Sequence, residues 1–315
     1  MEKIPNKRGE IHLKYYFMLY NQKIKSDLFL PEAVSIKPIE PVDIVIELGK
    51  PPQWVLEKAK SGQAYHLEEQ VMWFYLEGLV LYYVENGNRI IIYRESKSIS
   101  DLALRSYLTG SAMSFAVIQK DYLPLHGGTV EYEGQGIIIS GVSGSGKSTV
   151  TMEMFHHGFK FVADDMSVLQ FAEGRVQVLP GFPQQKLCRD VVEKNELNPE
   201  ELIYIDEDRD KFARIIKEGY LTEPIPVACM IELKTSEDVD NVVCKGVTGG
   251  NKFHQLIRNI YRGEIYQRLN NSPIRFQMFV NAAASIPMYR ITRPKHGDFV
   301  HEIIQCIREQ ILLKR

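Results

Sequence analysis

The hydrophobic positions divide the chain into two parts with different patterns. From residue 11 to about residue 94, β-branched and aromatic residues are frequent, and VLYYVENGNRIIIYRE places an Asn-Gly pair between two apolar runs. Asn and Gly both tolerate the positive φ of a hairpin turn, so this segment predicts two paired strands. The first part is therefore expected to be a small β-rich domain.

The segment SISDLALRSYLTGSAMSFAVIQKD has apolar positions three and four residues apart, which is typical of a helix. Ser98 or Ser100 is expected to cap its N-terminus, because a serine hydroxyl can accept a hydrogen bond from a free backbone N–H group of the first turn. We expect this helix to link the two parts.

Strands and helices alternate in the rest of the chain, which predicts an α/β fold. The predicted strands are GTVEY, GIIIS, KFVAD, SVLQF and VACMIEL. The predicted helices cover residues 148–157, 211–217, 251–261 and 299–313. We place a β-rich (α+β) N-terminal domain at residues 1–108 and an α/β domain at residues 109–315.

Composition and charge exclude several classes of protein. Apolar residues make up 44% of the chain and charged residues 25%, as in globular proteins, and the formal net charge of -2 gives no general attraction to nucleic acid. No apolar run is long enough to span a membrane and no secretion signal is recognisable, so a cytoplasmic protein is expected. The four cysteines have no metal-ligand or disulfide spacing, which predicts free, buried thiols.

Residues 141–149, GVSGSGKST, satisfy the phosphate-loop pattern G-x-x-x-x-G-K-[ST] between an apolar strand and a helix. Glycines let the backbone N–H groups point inward, where they and the helix dipole can bind β- and γ-phosphates. Lys147 is expected to reach the same phosphates, and the Ser148 hydroxyl to bind Mg²⁺ (or Mn²⁺). The predicted nucleotide-binding residues are Gly141, Ser143, Gly144, Ser145, Gly146, Lys147, Ser148 and Thr149.

An acidic pair, Asp164 and Asp165, begins 17 residues after Lys147. A helix descending about 16 Å and a strand returning about as far would bring the pair back to the phosphates. Because successive strand side chains point to opposite faces, we assign the two carboxylates different tasks. Asp164 is the candidate that orients an acceptor hydroxyl and takes its proton, and Asp165 the candidate metal ligand.

His126 lies at the entry of a strand that we expect beside the loop strand. It could hydrogen-bond Asp164 or a phosphate, or be a structural histidine in a Gly-rich turn.

The block LHGGTVEYEGQGIIISGVSGSGKSTVTMEMFHHGFKFVADDMSVL resembles the catalytic domain of HPr kinase/phosphorylase in the order and spacing of its histidine, phosphate loop and "ADD" strand. The chain also resembles HPr-kinase-related enzymes of ribosomal peptide pathways, notably the lasso-peptide tailoring kinases. The resemblance implies a phosphoenolpyruvate-carboxykinase-like fold, with Asp164 as base, His126 as its partner, and Lys147, Ser148 and Asp165 at the nucleotide-metal site. It also implies ATP as phosphoryl donor and, as acceptor, a serine of a protein or at the C-terminus of a precursor peptide.

One departure from the family concerns the E-x-R-G-x-G signature of HPr kinase, because the corresponding region here reads QQKLCRDVV. Asp190 is the candidate replacement for the metal-binding glutamate. Recognition of HPr and reversal of the reaction are left open, as is a homo-oligomer.

Phosphoryl transfer also calls for a cation besides Lys147. Lys186 and Lys211 are favoured by loose family similarity. The other candidates are Arg189, Arg214, Arg258, Arg262 and Arg293.

Three alternatives to a peptide serine kinase remain. They are an HPr(Ser) kinase of carbon-metabolism control, a small-molecule P-loop kinase, and a nucleotide-binding regulator that phosphorylates nothing.

Overall fold

The computed structural model describes residues 2–5, 11–206, 210–269 and 272–313. Contacts between residues group the chain into two compact units. The first unit comprises residues 1–123 and 264–276, and the second comprises residues 124–263 and 277–315. We predicted a boundary at residue 108 between two independently folding domains. Compact units defined by contacts do not test this boundary, so it stays a prediction.

The first unit is built around a sheet of short strands. They are numbered in chain order: β1 (Glu2–Pro5), β2 (Ile11–Leu19), β3 (Gln22–Ser26), β4 (Val34–Ser35), β5 (Ile44–Leu48), β6 (Tyr65–Leu67), β7 (Val71–Leu76), β8 (Val80–Glu85) and β9 (Arg89–Arg94). They form one sheet of order β1-β2-β3-β5-β9-β8-β7-β6, with β4 paired to β2. The predicted β-rich N-terminal part is therefore confirmed.

Local sequence signals decide several elements of this unit. The predicted hairpin is β8 and β9, and both Asn86 (φ 51°) and Gly87 (φ 65°) have the positive φ expected of its turn. The helices are α1 (Gln53–Lys60), α2 (Asp101–Tyr107) and α3 (Met113–Gln119), with a π-helical turn (Leu108–Ala112) joining the last two. Ser100 caps α2, since its hydroxyl accepts a 3.1 Å hydrogen bond from the Ala103 N–H.

The second unit alternates strands with helices, as predicted. Its strands are β10 (Leu123–Tyr132), β11 (Gln135–Gly141), β12 (Lys160–Ala163), β13 (Met166–Ala172), β14 (Arg175–Leu179), β15 (Gln184–Cys188), β16 (Ile203–Asp206), β17 (Lys211–Ile215), β18 (Ile225–Ser236), β19 (Val243–Val247) and β20 (Met288–Pro294). Its helices are α4 (Lys147–His156), α5 (Arg189–Lys194) and α6 (Gly250–Arg258), then α9 (Val300–Cys306), which continues into a π-helical segment (Ile307–Leu312). Between them in the chain lie α7 (Gly263–Arg268) and α8 (Pro273–Ser285), which the sequence pattern did not predict. Residues 264–276, which include most of α7 and the start of α8, belong to the first unit.

The main sheet of this unit has the order β11-β10-β13-β14-β18-β20-β19, and β11 also pairs with β18. Strands β11, β18 and β20 are mutually parallel, so their carboxyl ends meet at one edge of the sheet. Strand β10 is antiparallel to both β11 and β12, so those two strands run parallel with β10 between them, and all five predicted strands are confirmed.

A buried apolar cluster fixes this sheet against α4 and α9. It includes Ile139 of β11, Leu233 of β18, Ile291 of β20, Val150 of α4 and Ile303 of α9. The phosphate-loop helix is thus anchored on one face of the sheet, and the loop lies at its edge.

The helix predicted at residues 211–217 is wrong, because this segment contains β17. This strand lies between β15 and β16 in a three-stranded sheet. Phe212 is buried with Leu187 and Met152, and the strand pairs with both neighbours, whereas a seven-residue helix is marginal without tertiary contacts.

The cysteine prediction is only partly confirmed. All four cysteines are free thiols, but Cys188 is exposed at the end of β15, whereas Cys229 and Cys306 are buried. No helix of the described residues is both long and apolar enough to cross a membrane.

Candidate active site

The phosphate loop connects β11 to the N-terminus of α4. Gly146 is the N-cap of α4 with φ 98°, a left-handed conformation that favours glycine. At Gly141 a Cβ atom would lie 2.5 Å from the carbonyl oxygen of Leu233, so a side chain there would collide with the neighbouring strand. The exposed residues between them, 142–144, leave backbone groups accessible to a phosphate.

Lys147 folds back over this loop. Its Nζ donates hydrogen bonds to the carbonyl oxygens of Gly141 (2.8 Å) and Val142 (3.1 Å). Burial lowers the pKa of Lys147 below its usual range, although the charges of Asp165 and Asp164 act in the opposite direction. The lysine therefore lies within the electrostatic field of the acidic pair, with only neutral oxygens as direct partners among the described contacts.

Two serines of the loop are suited to a bound phosphate and metal. Ser145 is buried, and its Oγ has no hydrogen-bond partner among the described residues, as expected of a group that awaits a ligand. Ser148 and Thr149 are partly buried in the first turn of α4.

The acidic pair lies in a tight turn between β12 and β13. Asp165 has φ 63°, and the Met166 N–H donates to the Asp164 carbonyl oxygen at 2.7 Å. Such a three-residue turn is uncommon for a non-glycine residue and interrupts the alternation of side chains along the strand. Both carboxylates consequently reach one residue, Lys186, instead of pointing to opposite faces.

Lys186 binds the two carboxylates through different groups. Its backbone N–H donates to Asp164 Oδ2 at 2.7 Å, whereas its Nζ donates to Asp165 Oδ2 at 3.0 Å. Only Asp165 is thus paired directly with the ammonium group.

This arrangement separates the acidities of the two aspartates. Burial, together with the charge of Asp165, raises the pKa of Asp164 to about 6. Burial also acts to raise the pKa of Asp165, but the charge and the hydrogen bond of Lys186 hold it below its usual value. The charged form is therefore favoured more strongly at Asp165 than at Asp164, which binds a proton more readily.

His126 lies on β10 beside the turn of the acidic pair. Its Nδ1 is 3.2 Å from the Asp165 carbonyl oxygen and 3.6 Å from Asp165 Oδ1. The sequence suggested Asp164 or a phosphate as partner, but the hydrogen bond goes to Asp165, because the Gly127 N–H also binds the Asp165 carbonyl oxygen (3.2 Å) and holds the turn against β10. Burial and the charge of Lys147 lower the pKa of His126, which favours the neutral ring.

The three-stranded sheet brings both favoured lysines toward the cluster. Lys186 lies on β15, and Lys211 opens β17, where it pairs with Cys188. The charge of Lys211 acts on His126, Lys147 and Asp165. Arg189 instead pairs with Asp210, at 2.9 Å from Nη2 to Oδ1. The side chain of Asp190 lies outside the described residues, so its metal role stays a prediction.

The segment after α6, residues 259–261, contacts His126, and the sequence did not predict this contact. The backbone oxygen of Asn259 accepts a 2.7 Å hydrogen bond from the His126 N–H, and the Tyr261 ring centroid is 6.0 Å from that of His126. Nothing in the sequence signals this contact, because it depends on an isolated bridge between Leu125 and Ile260, far apart in the chain.

A buried glutamate fixes the same segment. Glu232, on β18 opposite the last residues of the loop strand, is 3% exposed. Its carboxylate accepts hydrogen bonds from Arg290 Nε (2.9 Å), Arg258 Nη2 (3.2 Å) and Asn259 Nδ2 (3.2 Å). Burial acts to raise its pKa, but these donors hold the pKa of Glu232 below its usual value.

The donor atoms present fit a divalent metal bound together with a nucleotide. The Ser148 hydroxyl and the Asp165 carboxylate are hard oxygen ligands, and Mg²⁺ is commonly held by one or two protein oxygens plus phosphates and water. Within the described ranges no group of three His, Cys, Asp or Glu side chains is arranged to hold a metal unaided.

A glycine loop between a buried strand and a helix, faced by a carboxylate pair at the same sheet edge, defines a P-loop phosphate-binding domain. Residues 120–193 match the family model described as HPr Serine kinase C-terminal domain. This part of the chain is therefore similar to the C-terminal domain of HPr serine kinases.

Individual relatives match over short stretches of the chain. An HPr kinase/phosphorylase of Malacoplasma penetrans (strain HF-2) is 44% identical over 50 residues, which is 16% of each chain. One of Treponema pallidum (strain Nichols) is 40% identical over 73 residues, 21% of this chain and 23% of the relative. The chain thus matches less than a quarter of the length of these relatives. The Hpr(Ser) kinase/phosphatase structure from Coxiella burnetii covers 61% of this chain and 97% of its own, with 13% identity and a TM-score of 0.33.

Proposed function

We propose that this protein is an ATP-dependent kinase that transfers the γ-phosphate to a serine hydroxyl of a peptide or protein. The main observation behind this proposal is that the phosphate loop and the acidic pair lie at the same edge of the sheet. Lys147 lies in the field of both Asp164 and Asp165, and Lys186 fixes both carboxylates. A donor held by the loop and an acceptor held at Asp164 would then meet at one sheet edge.

The residues of the loop bind and orient the donor. Backbone N–H groups of residues 142–146 surround the phosphates, and Lys147 exchanges its two carbonyl partners for phosphate oxygens. Ser148 and Asp165 would hold Mg²⁺ (or Mn²⁺). When bound, this ion neutralises charge on the phosphate oxygens.

Asp164 acts on the acceptor. Its carboxylate accepts the hydrogen bond of the serine hydroxyl and takes the proton as the new O–P bond forms and the bond from the γ-phosphorus to the β,γ-bridging oxygen breaks. His126, neutral and held against Asp165, keeps the turn in place. Lys186 holds the Asp165 carboxylate in its charged form, which lets the two aspartates perform different tasks.

For the acceptor we propose the C-terminal serine of a lasso-type precursor peptide. The resemblance to tailoring kinases supports this choice, as does QQKLCRDVV where HPr kinases carry E-x-R-G-x-G. HPr itself is the second candidate, because residues 120–193 match an HPr serine kinase domain and the relatives are HPr kinase/phosphorylases. We also propose that residues 1–108 recognise the acceptor, which hydrogen exchange would test: peptide addition should protect strands β2 to β9.

Mass spectrometry tests the function directly. The protein is incubated with ATP, Mg²⁺ and either a precursor peptide ending in serine or HPr, with Lys147→Ala as control. A phosphate-sized mass gain on the terminal serine supports the tailoring kinase, and a gain on HPr alone supports carbon-metabolism signalling. No gain on either would contradict the proposal and favour a small-molecule kinase or a nucleotide-binding regulator.

A further inference from the structure

Arg293 lies at the same sheet edge as the phosphate loop, on the side away from the acidic pair. Strand β20, which carries it, is parallel to β18, and β18 is parallel to β11. The carboxyl ends of β11 and β20 are thus two strands apart at one edge, the position where α/β sheets bind their ligands.

The side chain of Arg293 is on the face of the sheet that carries α4. Ile291, two residues earlier, packs in the cluster with Ile139 and with Val150 of α4. Because strand residues i and i+2 share a face, Arg293 points to the α4 side.

Its guanidinium group reaches the loop itself. A Cβ atom placed on Gly146 would lie 3.9 Å from Arg293 Nη2. The other terminal nitrogen, Nη1, donates to the carbonyl oxygens of Pro294 (2.9 Å) and Lys295 (3.4 Å). The backbone of its own strand end therefore holds the guanidinium beside the last glycine of the loop.

The charge of Arg293 is not neutralised by a direct salt bridge within the part of the chain that the structure describes. Three other cations near this sheet edge have carboxylate partners: Lys186 pairs with Asp165, and Arg258 and Arg290 pair with Glu232. Asp298 is close enough for Arg293 to lower its pKa, but Lys194 is its ion-pair partner. An arginine held by neutral carbonyls next to a phosphate loop is suited to binding an anion, because its planar group can make two parallel hydrogen bonds to phosphate oxygens.

We propose that Arg293 binds the phosphate chain of the nucleotide, opposite Lys147 across the loop. The inference deepens the proposed function, since it rests on nucleotide binding at this loop. It does not depend on the acceptor, and nucleotide affinity measured without acceptor therefore tests it.

The experiment compares ATP and inorganic tripolyphosphate binding by the full chain and by Arg293→Gln, Arg293→Lys and Lys295→Gln. Tripolyphosphate displaces a fluorescent ATP analogue, and thermal unfolding without ligand checks folding. Lys295→Gln is the matched control, because Lys295 also ends this strand but pairs with Glu237 at 2.7 Å.

We expect Arg293→Gln to weaken both ligands by about 10- to 100-fold, as loss of a hydrogen-bonded charge would. Arg293→Lys should lose less affinity than Arg293→Gln, and it tests the proposal even if Arg293→Gln fails to fold. The affinity of Lys295→Gln should stay within twofold of that of the wild type. Unchanged affinity in Arg293→Lys and Arg293→Gln, or a loss for ATP without one for tripolyphosphate, would overturn the assignment alone. A wild-type protein that binds neither ligand would overturn the proposed function with it.

Discussion

The Lys186 ammonium group lies 3.0 Å from the Asp165 carboxylate, while the backbone N–H of the same lysine binds Asp164. One residue thus gives two adjacent acids different environments.

Lys186→Met should reduce phosphoryl transfer by about tenfold or more, because Asp165 loses its paired charge and the two carboxylates repel each other. Arg189→Met is the matched control, since Arg189 also pairs with an aspartate, Asp210, but on an exposed surface. Steady-state kinetics should show the loss for Lys186→Met and less than a twofold change for Arg189→Met. Equal effects in both variants would contradict the special role of Lys186.

Lys147→Ala should abolish detectable transfer with little change in thermal stability. The side chain contributes only two hydrogen bonds to loop carbonyls, so the unfolding midpoint should move by at most a few degrees. Activity and differential scanning calorimetry on the same sample check both parts. Activity within tenfold of wild type would show that the loop lysine is not needed.

Asp164→Asn should retain nucleotide binding and lose transfer, because the amide cannot accept the proton. Its transfer rate and its affinity for ATP are measured side by side with those of the wild type. Normal transfer would require another base.

The same variant should change the pH dependence of stability in the free protein. The ordinary aspartate pKa of 3.8 rises to about 6 in the folded state, so the folded state favours the protonated acid. Stability from this group is therefore fully present below about pH 4 and is lost as the pH rises through 6, on the order of 1 to 3 kcal/mol. Chemical denaturation between pH 5 and 8 should show that the free energy of unfolding of the wild type declines as the pH rises, and that this decline is smaller in Asp164→Asn. Parallel curves for the two proteins would contradict a raised pKa of Asp164.

Glu232→Gln should destabilise the second unit by about 2 kcal/mol at pH 7, because three donors lose a buried charged acceptor. The folded-state pKa of Glu232 is below its ordinary 4.5, so its stabilisation is present at neutral pH and disappears as the pH falls through that lower value. Denaturation curves at pH 7 should separate this variant from Glu237→Gln, an exposed control expected within about 0.5 kcal/mol of wild type. Equal stability of the two variants would contradict the prediction.

Local signals account for what the sequence predicted well. The phosphate loop, the hairpin turn at Asn86 and the helix cap at one of two candidate serines, Ser98 and Ser100, each depend on a few neighbouring residues. The return of Asp164 toward the loop followed from helix and strand lengths alone.

Long-range pairing accounts for what the sequence did not predict. Residues 211–215 form a strand because β15 and β16 flank them, and neither partner is recognisable from the segment itself. Likewise, His126 meets Asp165 because the chain takes a left-handed turn at an aspartate, which no alternation pattern reveals. The roles of Tyr261, Glu232 and Arg293 depend on contacts between distant segments, so composition gave them no priority over other charged or aromatic residues.

The hydrogen bond between His126 and Asn259 joins positions separated by 133 residues of chain. Ordering the wall beside the histidine therefore carries the entropy cost of closing a long loop. The turn of the phosphate loop, residues 141–149, meets no such cost within its own segment. The position of His126 thus depends on the docking of α6, which the local geometry of the phosphate loop does not require.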